Sequence, residues 1–164
     1  MSATTEAEVG TTTRISNVTL DNQTLVKWSP EVEHERQVAM FDLLETNHFK
    51  LLDGTRGPYE VELGLSDATL VIDIQPASAR AVEVRLPLRP FRSLIKDYFM
   101  ICESYYDAIK TAMPSRIEAI DMARRALHDE GSEQLVDALA ERIEMDHNTA
   151  RRLFTLVCVL HIRG

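Results

Sequence analysis

Apolar and polar residues alternate along three successive segments in the middle of the chain, residues 59–65, 70–74 and 82–86. In each segment Val, Leu, Ile or, at position 59, Tyr occupies every second position, and charged residues fill many of the positions between them. An alternation of period two is typical of strands with one buried and one solvated face, and short polar breaks favour antiparallel neighbours. We therefore predict a three-stranded antiparallel meander, with one further strand at residues 14–20.

The apolar period becomes helical after Pro90, which predicts a long helix over residues 90–113. Met100 and Ile101 lie off its main apolar side, so we expect this helix to be covered on more than one face and to be central. Pro114 ends it, because the residue before a proline disfavours helical geometry. The apolar side consists of Phe91, Leu94, Ile95, Tyr98, Cys102, Tyr105, Ile109 and Met113.

An earlier helix is predicted by Ser29 and Pro30, which suit the N-cap and first helical position. Acidic residues follow in its first turns, where they complement the helix dipole, and we extend this helix to about Asn47. Residues 1–13 are small and polar. Since they have little to bury, we predict that they form a disordered tail ahead of a single domain, residues 14–164.

Local signals predict three more helices after Pro114. Ser115 and Glu118 have the spacing of a capping box that begins the first, and Gly131 is a usual residue at a helix end. Ser132 then caps a short helix, and Asp146 caps a last one over 147–162. Strands followed by helices, here a small β-meander packed against a mostly helical C-terminal half, indicate the α+β class.

Composition excludes some functions. The 164-residue chain carries a net charge of −8, which opposes binding to nucleic acids and to anionic membranes. Its most apolar stretch, 153–162, is about half the length needed to span a bilayer. Cys102 and Cys158 lie in apolar segments, as buried free thiols do. We expect a soluble, cytoplasmic protein with no disulfide framework.

No catalytic motif is present, and we predict no catalytic residue, metal ligand or cofactor. The chain lacks a phosphate-binding loop, a dinucleotide fingerprint and paired Cys-x-x-Cys. His34 and Glu35 could begin a zinc-protease motif, but Val38 stands where its second histidine is required. We assign a structural role to His128 and its acidic neighbours at a predicted helix end.

A cluster of basic residues is the most distinctive candidate site. Cations at a helix N-terminus oppose the dipole, whereas the free N–H groups there favour an anion. The cluster therefore binds either a small anion or an acidic protein partner, or it pairs internally with Asp73 or Glu83. Its members are Arg80, Arg85, Arg89, Arg92 and Lys96.

The last two predicted helices also have the spacing of a helix-turn-helix, with apolar residues at positions that pack two helices across a turn. In that interpretation, the DNA-facing residues would be Asn148, Thr149, Arg151 and Arg152. Glu144 occupies the turn where glycine is usual, and the flanking helix is acidic.

Several strings of residues resemble a bacterial family. They include 34–36, 41–43, 96–106, 117–122 and 149–161, and together they extend over most of the chain from about residue 14. They are similar to uncharacterised protein family 0262. The resemblance carries no established activity and implies no catalytic residues.

Three hypotheses about function follow. The first is a non-enzymatic binding or regulatory interaction protein. The second is an enzyme or sensor for a small anionic metabolite, which would bind Arg85, Arg89, Arg92 and Lys96. The third is a helix-turn-helix-like nucleic-acid binder.

Overall fold

A computed structural model describes residues 12–21 and 29–161. The predicted disordered tail lies outside the described residues except for Thr12 and Thr13, whose carbonyls accept hydrogen bonds from Gly57 and Phe49. The elements are β1 (Ile15–Leu20), α1 (Pro30–Glu45), β2 (Phe49–Leu51), β3 (Tyr59–Ser66), β4 (Thr69–Pro76), β5 (Val82–Pro87), a 3₁₀ turn (Arg89–Phe91), α2 (Arg92–Thr111), α3 (Pro114–Leu139), β6 (Ile143–Met145) and α4 (His147–His161).

The predicted meander is confirmed within a four-stranded sheet of order β1-β3-β4-β5. Strands β3, β4 and β5 are antiparallel, with Ile74 opposite both Val61 and Val82. Strand β1 pairs with β3 in parallel, which the alternation of residues did not predict. Helix α1 lies between these two strands in the chain, and Asn47 after it bonds both the N–H and the C=O of Ile15.

A second, two-stranded sheet joins β2 to β6 in antiparallel pairing. Each strand has three residues, too few for an alternation to be recognised, and their partners are far apart in sequence. Because residues 143–145 form this strand, the predicted turn of the helix-turn-helix does not exist. Strand β6 instead ties the end of α3 to the chain that follows α1.

Helix α3 is continuous where two helices were predicted. Gly131 lies inside this helix rather than at its end. The glycine allows Phe154 to approach closely, because a Cβ atom there would lie 2.5 Å from the Phe154 ring. Ser132 is a buried residue inside the helix rather than a cap, and its hydroxyl donates a 3.0 Å hydrogen bond to the carbonyl of His147. Three helices, not four, therefore follow the meander in the described chain.

The ends of the other helices fit the local signals more closely. Ser29 caps α1 by accepting a hydrogen bond from Val32 N, and the Asp146 carboxylate accepts one from Thr149 N at the start of α4. The predicted capping box at Ser115 is wrong, because α3 begins one residue earlier at Pro114 and has no side-chain cap.

Helix α4 is buried over most of its length, whereas α2 buries one side. Leu153, Phe154 and Val157 are at most 5% exposed, so the apolar stretch that begins at Leu153 belongs to the core. The buried faces of β3 and β4 pack on α4 and on the C-terminal half of α3. The helix predicted over 90–113 is present as α2, but Met100 is 59% exposed. No helix of the described residues is long and apolar enough to cross a membrane.

Candidate functional site

A cleft of about 400 Å³ opens between α1, α2 and α4. Its volume lies in the range of sites for small molecules, which are mostly apolar with a few convergent polar groups. Its walls combine apolar, aromatic and acidic side chains. They are Ser29, Glu31, Val32, Glu35, Tyr98, Phe99, Cys102, Glu103, Tyr106, Asp107 and Val159.

Helical periodicity brings these side chains together. The first turns of α1 contribute positions 31, 32 and 35, which share one side of the helix because residues three and four apart are neighbours. Helix α2 contributes the series 98, 99, 102, 103, 106 and 107, again spaced by three and four. Val159 reaches the cleft from the buried helix α4.

Glu35 forms the polar floor of the cleft and connects three helices. The Tyr106 hydroxyl donates a 2.8 Å hydrogen bond to its Oε1, and the Tyr98 hydroxyl donates a 3.1 Å bond to its Oε2. Arg124 of α3 lies behind the carboxylate, with its Nη1 atom 3.4 Å from Oε1. Each carboxylate oxygen therefore has at least one partner, and the side chain is held in one orientation.

The protonation states of this network favour the observed bonds. Burial raises the pKa of both Tyr98 and Tyr106, and the neighbouring Glu35 raises them further. Burial by itself lowers the pKa of Arg124, but Glu35 and Asp121 outweigh it and leave that pKa raised. At neutral pH the phenols thus remain donors and the guanidinium remains a cation.

Arg124 has further contacts that fix it against α2. Its Nη2 atom donates a 2.9 Å hydrogen bond to Asp121, and its guanidinium lies 4.3 Å from the centre of the Tyr105 ring. Its Nε atom is buried and has no hydrogen-bond partner among the described residues. The guanidinium therefore compensates Glu35 from behind and does not line the cleft.

Cys102 lies on the wall of the cleft but is not prepared for nucleophilic chemistry. It is 7% exposed, and burial raises the pKa of its thiol to about 11. A reactive cysteine needs a lowered pKa and an accessible sulfur, because the thiolate is the nucleophile. Cys158 is completely buried, and burial raises its pKa too. Both cysteines are free and pack in the core, as predicted.

Ser132, His147 and Asp129 have the residue types of a hydrolase triad. Ser132 Oγ lies 3.0 Å from His147 Nδ1, and His147 Nε2 lies 3.2 Å from Asp129 Oδ1. The serine hydroxyl, however, donates to a main-chain carbonyl and is completely buried within α3. A substrate would not reach it, so this chain of bonds ties α3 to the start of α4.

His128 stands beside the same helical interface, in the middle of α3 rather than at a helix end. Its Nε2 atom lies 3.2 Å from the hydroxyl of Thr155, and its ring contacts Tyr98 with 5.0 Å between ring centres. Burial, helped by Arg151, lowers its pKa to about 4, so the imidazole is neutral at physiological pH. This residue packs α3 against α2 and α4.

The predicted basic cluster lies outside the cleft. Arg85 pairs with Glu83 at 2.6 Å, one of the internal pairings considered. Arg89, Arg92 and Lys96 are exposed, and none forms an ion pair with the residues at 12–21 and 29–161. Helix α2 also begins without a side-chain cap or an acidic residue in its first turn.

Two of the residues proposed to face DNA are engaged in contacts within the protein. Thr149 is buried and accepts a hydrogen bond from His48 N, while Arg152 pairs with Asp42 at 3.5 Å. Within the described ranges, no group of three His, Cys, Asp or Glu side chains could hold a metal ion.

The cleft was not predicted from the sequence. Glu35 belongs to the incomplete zinc motif at 34–38, and no role was predicted for Glu103 or Asp107. One available signal was the acidic residue Glu35 on α1 combined with Tyr98 and Tyr106 on α2. Their contact depends on packing between distant helices, which a sequence pattern does not specify.

Comparison with known proteins identifies the family. A family model described as Uncharacterised protein family (UPF0262) matches residues 12–163. A UPF0262 protein of Rhodospirillum rubrum is 52% identical over 160 residues, covering 97% of this chain and 99% of the relative. One from Rhizobium etli is 55% identical over 152 residues, covering 92% and 96%, respectively. No solved structure matches the chain. The resemblance of the residue strings is thus confirmed, and the chain belongs to the bacterial family UPF0262.

Proposed function

We propose that this protein is a non-enzymatic binding protein that holds a small molecule in the cleft between α1, α2 and α4. The observation that carries the proposal is the combination of an open cleft of about 400 Å³ with apolar walls and a fixed polar floor at Glu35. A preformed apolar pocket with a few oriented polar groups is the usual form of a small-molecule site.

A binding role suits the ionisable groups of the cleft better than catalysis does. General acids and bases work best when their pKa lies near the working pH. The pKa values of Tyr98, Tyr106 and Cys102 are instead raised away from neutrality, mainly by burial. Glu35 is occupied by three donors. These groups orient a ligand rather than exchange protons with it.

The position of the cleft supports a regulatory role. A ligand there touches α1, α2 and α4 at once, and so stabilises one arrangement of these helices over others. We propose that this function is cytoplasmic, because the two buried cysteines are free and the cytoplasm keeps thiols reduced.

A second candidate function is the sensing of an anion at the start of α2. It is favoured by the exposure of Arg89, Arg92 and Lys96 without ion pairs in the described chain, and by the missing cap of that helix. Free N–H groups and cations together attract phosphate or carboxylate. An acidic protein partner would use the same charges.

The proposed cleft is tested with two matched substitutions on α1. Val32→Phe fills the cleft, whereas Val38→Phe adds the same ring at a position that is 42% exposed and outside the cleft. A library of small compounds is screened by protein-observed NMR against both variants and the wild type. We expect compounds that bind the wild type and Val38→Phe but not Val32→Phe. If compounds bind all three proteins equally, or none binds the wild type, the proposal is wrong.

A further inference from the structure

The charges around the cleft indicate what it binds. Four of its lining residues are acidic, namely Glu31, Glu35, Glu103 and Asp107, and none of the described lining residues is Lys, Arg or His. We infer that the ligand is an organic cation: an amine or guanidine group on an apolar or aromatic body. This inference rests on the proposed binding function and specifies its ligand class.

The four carboxylates differ in how far they are already compensated. Glu35 has Arg124 behind it. In contrast, Glu31, Glu103 and Asp107 form no ion pair with any residue in the described part of the chain. Glu31 lies in the first turn of α1, where a negative charge is stabilised by the helix dipole. The uncompensated charge that needs another explanation is therefore on α2.

Glu103 and Asp107 are four residues apart on α2, on the side that faces the cleft. Like charges at this spacing repel each other and destabilise a helix. A cation bound between them would remove this repulsion and gain two attractive interactions. The arrangement thus costs stability in the free protein and favours a positively charged ligand.

The walls of the cleft exclude a bare metal ion as the best occupant. No group of three acidic, His or Cys side chains among the described residues could hold a metal ion, so the carboxylates do not converge as metal ligands would. The walls also carry apolar and aromatic side chains, including Val32, Phe99 and Val159. Such walls stabilise the body of an organic cation by burial and, at aromatic rings, by cation–π attraction.

Three probes with the same phenethyl body and different head groups test the inference. They are phenethylamine, phenethyl alcohol and hydrocinnamate, titrated into the full chain and followed by NMR chemical shifts. We expect the amine to bind about tenfold more tightly than the alcohol, since charge-assisted contacts are roughly twice as strong as neutral ones, and the carboxylate to bind most weakly.

Two matched double variants complete the test. Glu103→Gln/Asp107→Asn removes the charges from the cleft, whereas Glu133→Gln/Asp137→Asn removes an exposed pair of the same spacing from α3. The first variant should lower amine affinity by about fivefold and alcohol affinity by much less, while the second should change neither by more than about twofold, the effect of a screened remote charge.

The possible failures are distinguishable. If the alcohol or the carboxylate binds in the cleft as tightly as the amine, the cleft is a binding site but the ligand class is wrong. An equal loss of amine affinity in both double variants would show a general effect of net charge and would also overturn the inference. If none of the three probes binds, the inference fails, and the compound screen with Val32→Phe decides separately whether the cleft binds ligands of another class.

Discussion

Tyr106 and Glu35 lie 71 residues apart in the chain, yet the tyrosine hydroxyl donates a 2.8 Å hydrogen bond to Oε1 of the glutamate. The same carboxylate accepts a bond from Tyr98 and lies against Arg124. One acidic side chain from α1 therefore fixes the positions of α2 and α3 relative to α1. The shape of the cleft depends on this contact, because its walls are the helices that the contact joins.

Removing the Tyr106 hydroxyl tests this contact. We expect Tyr106→Phe to lower the free energy of unfolding by about 1 kcal/mol, because a hydrogen bond to a partly buried carboxylate is lost. Tyr105→Phe is the control, since its hydroxyl makes no hydrogen bond with the described residues and its ring contact with Arg124 is retained. Denaturant unfolding of both variants provides the measurement. Equal stability of the two variants would contradict the assigned role of Glu35.

Substituting Gly131 tests the packing of α3 on α4. Helix propensity alone predicts that Gly131→Ala raises stability by up to about 1 kcal/mol. The new Cβ atom would instead lie 2.5 Å from the ring of Phe154, a fully buried residue, so we expect stability to fall by about 1–3 kcal/mol. Glu133→Ala, at an exposed position of the same helix, should be neutral or stabilising.

The cause of that loss is checked by a second substitution. Phe154→Leu removes the ring atoms that clash, so Gly131→Ala should be less harmful in its background than in the wild type. Thermal unfolding of the four proteins gives the coupling energy. A Gly131→Ala variant as stable as the wild type would show that the glycine does not serve this close approach.

The lowered pKa of His128 predicts a specific dependence of stability on pH. Its pKa is lowered by burial to about 4 in the folded chain, against about 6.5 when unfolded. Between these values the unfolded chain binds a proton that the folded chain does not. The free energy of unfolding therefore falls as pH is lowered through this window, by roughly 3 kcal/mol in total.

The measurement is denaturant unfolding of the wild type and His128→Gln at two pH values. About pH 7 lies above both pKa values of His128, and about pH 5 lies between them. Glutamine retains a polar group near Thr155 but has no proton to bind. We expect the wild type to lose more stability than His128→Gln as the pH falls. If both proteins lose the same amount, His128 is not buried in its neutral form.

The exposed basic residues at and just before the start of α2 lead to a prediction about anions. If Arg89 and Arg92 bind an anion, inorganic phosphate should raise the melting temperature at constant ionic strength, because it binds only the folded chain. Arg89→Ala and Arg92→Ala should abolish this shift and raise the stability of the free protein by about 0.3–1 kcal/mol, since cations there oppose the helix dipole.

Arg56→Ala, at an exposed position away from α2, is the matched control and should leave the phosphate response unchanged. No phosphate response in the wild type, together with lower stability of Arg92→Ala, would contradict an anion site. That result would favour internal contacts for these side chains.

Local signals explain which parts of the fold were predictable. The alternation in β3, β4 and β5 and the caps at Ser29 and Asp146 are properties of neighbouring residues, and the structure contains them. Gly131 looked like a helix end for an equally local reason. Its actual use is the approach of Phe154 from α4, which no pattern around residue 131 contains.

The candidate site could not be predicted from the sequence for the same physical reason. The partners of Glu35 come from α2 and α3, and only the packing of three helices makes them neighbours. Strands β2 and β6 likewise stabilise each other across a long stretch of chain, although each has only three residues. The basic cluster stood out because its members are close in sequence, yet it lies outside the cleft.

The central claim is that an organic cation binds between α1, α2 and α4. The most direct measurement is the set of nuclear Overhauser contacts between the aromatic protons of bound phenethylamine and the methyl groups of the protein. The account predicts contacts with the methyl groups of Val32 and Val159, which line the cleft from two different helices. Contacts confined to methyl groups elsewhere, such as Met100 or Met122 on the exposed faces of α2 and α3, would contradict it.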